Sequence, residues 1–330
     1  MILAGDLGGT KTTLALYEGG DKKASPLYVR HYRSRNFPHF FAILDPYLKE
    51  HKQRVQKACF AVAGPVFSGR SQTLNLPWLI DAEKIAQRYK IPEVSLLNDL
   101  EATAYGALVL PESAKVVLNP DAAFGEAPLS GNRAVIAPGT GLGEAVLYRE
   151  GARYRPSASE GGHTDFAPRN DLEIALLQFL LKKHAHVSYE RLLSGPGLFT
   201  LYQFMKAHEQ GDEPAWLSER LVSEDPAAVI SEAALAQKSD LCTKALDCFV
   251  SLFGAEAGNL ALKALATGGV YLGGGIAPKI LPKLKEGLFM DAFVRKGRYS
   301  TLLSKIPVWL IDDPQSALHG AASFACIKEQ

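Results

Sequence analysis

Short apolar runs alternate along this chain with glycine turns and with longer stretches of helical spacing. Residues 2–5 form one apolar run. After a glycine-rich turn, residues 12–17 alternate and stop at Gly19-Gly20-Asp21, and residues 27–33 are again strand-like. Three such stretches separated by turn residues predict an antiparallel meander. Residues 37–49 carry helical spacing, residues 58–63 predict a strand stopped by Gly64-Pro65, and Asp81 stands where it would cap a helix running to Tyr89. Residues 94–97 predict a strand that ends in Asn98-Asp99. The Ala- and Leu-rich residues 100–110 predict the next helix, closed by Pro111.

Beyond Pro111 the pattern restarts. Residues 135–137 predict a strand, followed by Gly139-Thr140-Gly141-Leu142-Gly143 and a second strand through Leu147. A long helical region follows, over residues 172–184, 189–193, 198–208, 227–236 and 240–265. Residues 270–272 predict a buried strand entering Gly273-Gly274-Gly275, with a helix from near Pro278. Residues 308–311 predict the last strand, and residues 316–327 a closing helix. Each half thus begins strand, glycine turn, strand. Two α/β domains around a cleft are the expected architecture, and such clefts favour ligand sites. No repeat at solenoid period, low-complexity segment or long linker interrupts this order.

Composition narrows the class. With 330 residues and roughly 150 per domain, about two domains fit. Apolar residues at 47% and charged residues at 22% are globular values, against disordered, collagen-like and coiled-coil chains. The net charge of +1, with no long block of one sign, argues against a chain built to grip nucleic acid or an anionic membrane. Cys59, Cys242, Cys248 and Cys326 are scattered without a C-x-x-C pair, so reduced cytoplasmic thiols are expected. Asp6 interrupts the first apolar stretch and no basic segment precedes it, so no signal peptide is expected. No uninterrupted apolar run reaches the roughly 18 residues that a transmembrane helix needs.

The glycine turns carry the first candidate chemistry. Gly5-Asp6-Leu7-Gly8-Gly9-Thr10 lies between two strands, where paired glycines let backbone N–H groups approach an anion, and the Thr10 hydroxyl adds a donor. Asp6 ends an apolar strand, where an unpaired carboxylate is costly, so a metal ion or an ordered water shell is its expected partner. A plain hairpin turn is the bland alternative. This is not a P-loop, because Thr10 separates Gly9 from Lys11 and a strand follows. The dinucleotide fingerprint also fails at Gly139, Gly141 and Gly143, which disfavours nicotinamide chemistry. Gly139 to Gly143 instead repeats the logic of the first turn, as expected if two domains each offer a turn to one polyphosphate. Gly273-Gly274-Gly275 is a third point of close approach.

The second candidate set is polar. At Asn98-Asp99 one residue would cap the helix; alternatively Asp99 is a general base and Asn98 binds a polyhydroxyl substrate, and both hold if the two divide the roles. Glu160-Gly161-Gly162-His163 sets an acid and an imidazole three residues apart across a diglycine bend, facing one small polar ligand. Zinc is the weaker alternative, since no Cys or second His stands at ligand spacing. Glu190 has the spacing of an ordinary exposed helix residue. His184, His186 and His208 read as solvated.

These motifs resemble the bacterial glucokinase family. Gly5 to Thr10, Leu97-Asn98-Asp99, Ala137-Pro138-Gly139-Thr140-Gly141-Leu142-Gly143, Ser159-Glu160-Gly161-Gly162-His163 and Leu193-Ser194-Gly195-Pro196-Gly197 occur in that family's order and spacing, over essentially the whole chain. The resemblance implies an α/β, two-domain actin-like ATPase (ribonuclease H-like) fold with a cleft. It divides the chain into a small domain, residues 1–110 plus 312–330, and a large domain, residues 111–311. It implies a cytoplasmic homodimer that moves the ATP γ-phosphoryl group to the 6-hydroxyl of glucose, with Mg²⁺, and feeds glycolysis.

Carried over by residue, the resemblance makes Gly5, Asp6, Leu7, Gly8, Gly9 and Thr10 the first phosphate site and Gly139, Thr140 and Gly141 the second, with Gly273 and Gly274 near adenosine. Asn98, Asp99, Glu160, His163 and Glu190 match sugar-binding positions, Asp99 the catalytic base, and Asp6 a ligand of Mg²⁺ through water. Lys11 departs toward the related ROK sugar kinases. Their Cys-rich zinc motif is absent, since Thr164-Asp165-Phe166-Ala167-Pro168 follows His163, so no zinc ligand is carried over. A kinase for fructose, mannose or an N-acetylhexosamine is the nearest rival. A sugar sensor would need a DNA-binding module, for which the strand starting at Ile2 leaves no room, and a filament-forming ATPase would not need the sugar cluster.

Overall fold

A computed structural model describes residues 1–18, 25–73, 76–123 and 130–327. The predicted Gly19-Gly20-Asp21 turn lies outside them. The chain forms two compact units, residues 1–115 with 313–330, and residues 116–312.

The first unit is built on a sheet of β1 (Ile2–Leu7), β2 (Lys11–Tyr17), β3 (Leu27–Arg33), β4 (Lys57–Val62) and β7 (Glu93–Asn98) in the order β3-β2-β1-β4-β7, with a small ribbon of β5 (Arg70–Gln72) and β6 (Leu79–Asp81) beside it. β1, β2 and β3 form the expected antiparallel meander, and β4 and β7 join in parallel. Alternation along β1 sends Leu3 and Leu7 to one face and Ile2 and Ala4 to the other, each into its own core. The first core gathers Phe40, Tyr47, Phe60 and Trp78. In the second, the Asp99–Val109 and Ser316–Cys326 helices pack on small residues, close enough that a Cβ on Gly320 would stand 1.7 Å from the Ala102 carbonyl oxygen.

The second unit repeats the plan. β9 (Arg133–Pro138), β10 (Leu142–Glu150), β11 (Arg153–Ser159), β12 (Val270–Leu272) and β13 (Val308–Ile311) lie in the order β11-β10-β9-β12-β13, extended past β13 by β8 (Lys115–Val117). Again two antiparallel pairs precede parallel ones. One large core lies against this sheet, centred on the Asp240–Lys263 helix. That helix is long and apolar enough to cross a membrane, but 78% of its most apolar stretch is buried inside the protein, as befits a core helix.

Candidate functional site

In the first unit, the β1–β2 turn is pinned rather than free. Gly8 N donates to Lys11 O at 3.0 Å, Ser34 Oγ donates to Gly8 O at 2.7 Å, and Ser34 N donates to Thr10 O at 3.0 Å. Buried Ser34, in the turn after β3, carries no sequence signal that would place it at this site. It holds the glycines in shape while Gly8, Gly9, Thr10 and Lys11 keep solvent access. Asp6 stands at the head of the turn, half-buried on the Ile2 and Ala4 face. Burial, reinforced by the nearby Asp99 carboxylate and opposed by Lys11, pushes Asp6 up to about 6.

Asn98 and Asp99 divide the roles. Asn98 Oδ1 accepts from Leu100 N at 2.9 Å as the helix cap, and its amide donates to Gly64 O at 3.2 Å. Its orientation is therefore fixed at both ends. Asp99 also accepts from Leu100 N at 2.9 Å but remains exposed. Desolvation by the surrounding protein raises its carboxyl above the ordinary range, against hydrogen bonds from the Leu100 backbone and the Asn98 side chain that lower it.

In the second unit Glu190 is the junction. One carboxylate oxygen accepts from Leu142 N at 3.0 Å, in the β9–β10 turn, and the other lies 3.3 Å from His163 Nδ1. A Cβ on Gly141 would stand 2.5 Å from Glu190 Oε2, so the glycine is what lets the carboxylate reach the turn. The same turn is closed by Gly139 N to Gly141 O at 2.8 Å, and Gly195 N donates to Gly139 O at 2.9 Å. Gly161, Gly162 and His163 form a short 3-10 turn after β11, with Ser159 Oγ accepting from Gly161 N and both Glu160 and His163 exposed.

A cavity of about 700 Å³ opens beside this turn, lined by Gly139, Thr140, Gly195, Pro196, Phe199, Asp225, Ala227, Ser231, Gly275, Ile276 and Lys279. The Gly195–Glu209 helix, capped by Ser194 on Gly197 N at 3.1 Å, points its N-terminal end at it. Gly273 stays in the sheet by donating to Ile136 O, Gly274 turns the chain at φ +80°, and Gly275 faces the cavity. A smaller space of about 250 Å³ is lined by Thr140, His163, His184, Glu190, Arg191 and Ser194. His184 thus lies at the site, and His186 pairs with Asp165 at 3.0 Å with its ring 5.9 Å from that of His163. His186 is half exposed, as its spacing suggests, and its partner Asp165 lies 21 residues before it in the chain.

Two successive sheets of this order define the class by its fold, that of the actin-like ATPases. The chain superposes on the crystal structure of glucokinase from an Antarctic psychrotroph with a TM-score of 0.86 at 33% identity, covering 98% of each chain. A ROK family glucokinase from Streptomyces griseus, solved with glucose and AMPPNP, shares the fold at a TM-score of 0.62 and 21% identity, covering 98% of each chain. The family model described as Glucokinase matches residues 3–327. A glucokinase of Nostoc sp. is 41% identical, covering 98% of each chain. The chain belongs to the glucokinase family and is an ATP-dependent hexose kinase.

Proposed function

We propose that the chain phosphorylates D-glucose at the 6-hydroxyl with Asp99 as the base, and that Asn98, Glu160, His163 and Glu190 hold the sugar. The observation that carries this reading is Glu190, whose carboxylate ties the Gly139 to Gly143 turn to His163. A residue joined to both a phosphate-type turn and a sugar-type imidazole keeps donor and acceptor sites in register. Phosphoryl transfer asks mainly for such positioning and for neutralised charge.

Asp99 suits the base role because it is exposed and its carboxyl is raised, which strengthens its pull on a hydroxyl proton. Donors and acceptors that the bound sugar covers would select among hexoses, since a wrong epimer leaves them unpaired. The Gly5 to Thr10 and Gly139 to Gly141 turns would take the phosphates, and the cavity lined by Gly195, Asp225 and Gly275 would take the nucleoside. Gly273 and Gly274 would support that cavity from behind.

Mg²⁺ fits the donor chemistry of Asp6, a half-buried carboxylate raised by burial and by the neighbouring Asp99, where added positive charge offsets the cost of ionisation. Asp6 would hold the ion through water, and the ion would supply neutralisation of phosphate charge. The same reading takes the two compact units as the small and large domains, the protein as a cytoplasmic homodimer, and its product as an input to glycolysis.

ADP release measured across glucose, fructose, mannose and N-acetylglucosamine tests the acceptor: glucose is expected to give the highest kcat/KM. Asp99→Asn is expected to lose about 10³-fold in kcat while still binding glucose. Turnover within a few-fold of the parent protein would remove Asp99 from the base role.

A further inference from the structure

Behind the Glu160 to His163 turn lies a pair of carboxyls that the reaction itself does not use. Glu144, in β10, is 1% exposed, and Glu256, in the Asp240–Lys263 helix, is fully buried. Among the described residues no donor reaches Glu144 Oε1; the carboxyl's hydrogen-bonding neighbour is Glu256. Glu256 is well supplied, with Lys263 Nζ at 3.2 Å on one oxygen and Asn259 Nδ2 at 2.8 Å on the other. Two buried carboxylates cannot both ionise at contact without heavy cost, and the donors favour charge on Glu256. The proton of the pair therefore resides on Glu144.

Both members touch segments of the sugar site. Glu144 is paired in register with Ser159, and a Cβ on Gly161 would stand 2.1 Å from Glu144 Oε2, so the turn rests directly on this carboxyl. Asn259 Nδ2, which donates to Glu256, also lies 3.2 Å from the hydroxyl of Tyr189, the residue before Glu190. We propose that Glu144 and Glu256 share one proton and thereby hold the Gly161 turn and the Tyr189 segment in register, which makes Glu144 a positioning residue for glucose. This rests on the proposed sugar site.

The charged and titratable groups around the pair are Lys263 on the helix of Glu256, Tyr189, Lys296 beyond the Leu288–Val294 helix, and the Arg169–Glu173 ion pair. Lys296 donates to Ala255 O and Asn259 Oδ1 and so braces the same helix. Burial, and then the charge on Glu256, push Glu144 up to about 8, with Lys263 opposing. Above that pH the pair carries two charges and the turn is pushed away.

The test is the glucose KM of the intact enzyme from about pH 7 to about pH 9.5, with kcat followed separately. For the parent protein, KM is expected to rise about tenfold across this range relative to Glu144→Gln, whose amide keeps the donor at every pH. Glu256→Gln removes the second charge and is expected to flatten the rise as well, and it carries the test if Glu144→Gln folds poorly. KM profiles of both variants that run parallel to the parent would overturn the proposal. Glu160→Gln, measured alongside, separates the two levels. If its glucose KM is unchanged, the sugar site itself is misplaced and the proposal falls with it; if its KM rises while the Glu144 and Glu256 variants track the parent, only the positioning role falls.

Discussion

Asp6 ends β1 on the face that otherwise carries Ile2 and Ala4, and the fold bears its charge at a cost. Its carboxyl is held at about 6 against an ordinary 3.8. An acid whose folded-state value exceeds its unfolded one binds its proton more tightly when folded, so this group's stabilisation is complete below about 4 and lost as pH rises through about 6. Above that window the ionised group opposes folding by about 2 kcal/mol, since a tenfold change in proton affinity is worth roughly 1.4 kcal/mol and partial exposure lowers the total. Asp6→Asn is therefore expected to stabilise the ligand-free protein at neutral pH, to do so much less near pH 4, and to lose phosphorylation. Urea unfolding at the two pH values checks this; equal stability changes at both would contradict it. In the reading proposed above, a Mg²⁺ ion held through water offsets that cost.

At the scale of elements, local chemistry was legible and long-range pairing was not. Asp81 caps the Ala82–Tyr89 helix as its position suggested, accepting from Lys84 N at 3.1 Å. The helix expected from residue 37 starts only at Phe41, because Pro38 keeps Phe37 extended and a 3-10 turn occupies Ser34–Asn36. β11 is hidden in the pattern because its sequence, RYRPSAS, is polar and carries a proline, which an edge strand tolerates. The Ala215–Ser223 helix starts behind Pro214 without a side-chain cap, so it gave no start signal. Glu190 looks like a surface residue by spacing, and only the resemblance singles it out, because its partner Leu142 N is 48 residues away.

Helix packing yields a sharper expectation. In an open helix Gly→Ala gains up to about 1 kcal/mol. At Gly320 the added methyl would meet backbone oxygen at 1.7 Å, which no rotamer relieves, so Gly320→Ala is expected to cost at least about 3 kcal/mol. Thermal unfolding would show a clear fall in Tm; an unchanged or raised Tm would mean that the two helices separate easily.

At the scale of the molecule, each unit carries its own sheet and core, but only the first is assembled from two separated stretches of chain. The Ser316–Cys326 helix covers Ile2, Ala4, Cys59 and Ala61. A chain stopped after Ile311 is expected to lose hydrogen-exchange protection in β1, β4 and β7 while β9, β10 and β12 keep theirs. Uniform protection, or uniform loss, would show that the units do not unfold separately.

That helix also sets a schedule for biosynthesis. A ribosome makes β1 to β7 early, yet the helix that covers one face of their sheet follows only after the whole second unit and must clear the exit tunnel before it can dock. The nascent enzyme therefore matures in reverse: the half that carries Asp99 is translated first and finished last. Until that helix docks, the face of Ile2, Ala4, Cys59 and Ala61 lies uncovered, a surface for chaperones and a hazard for aggregation.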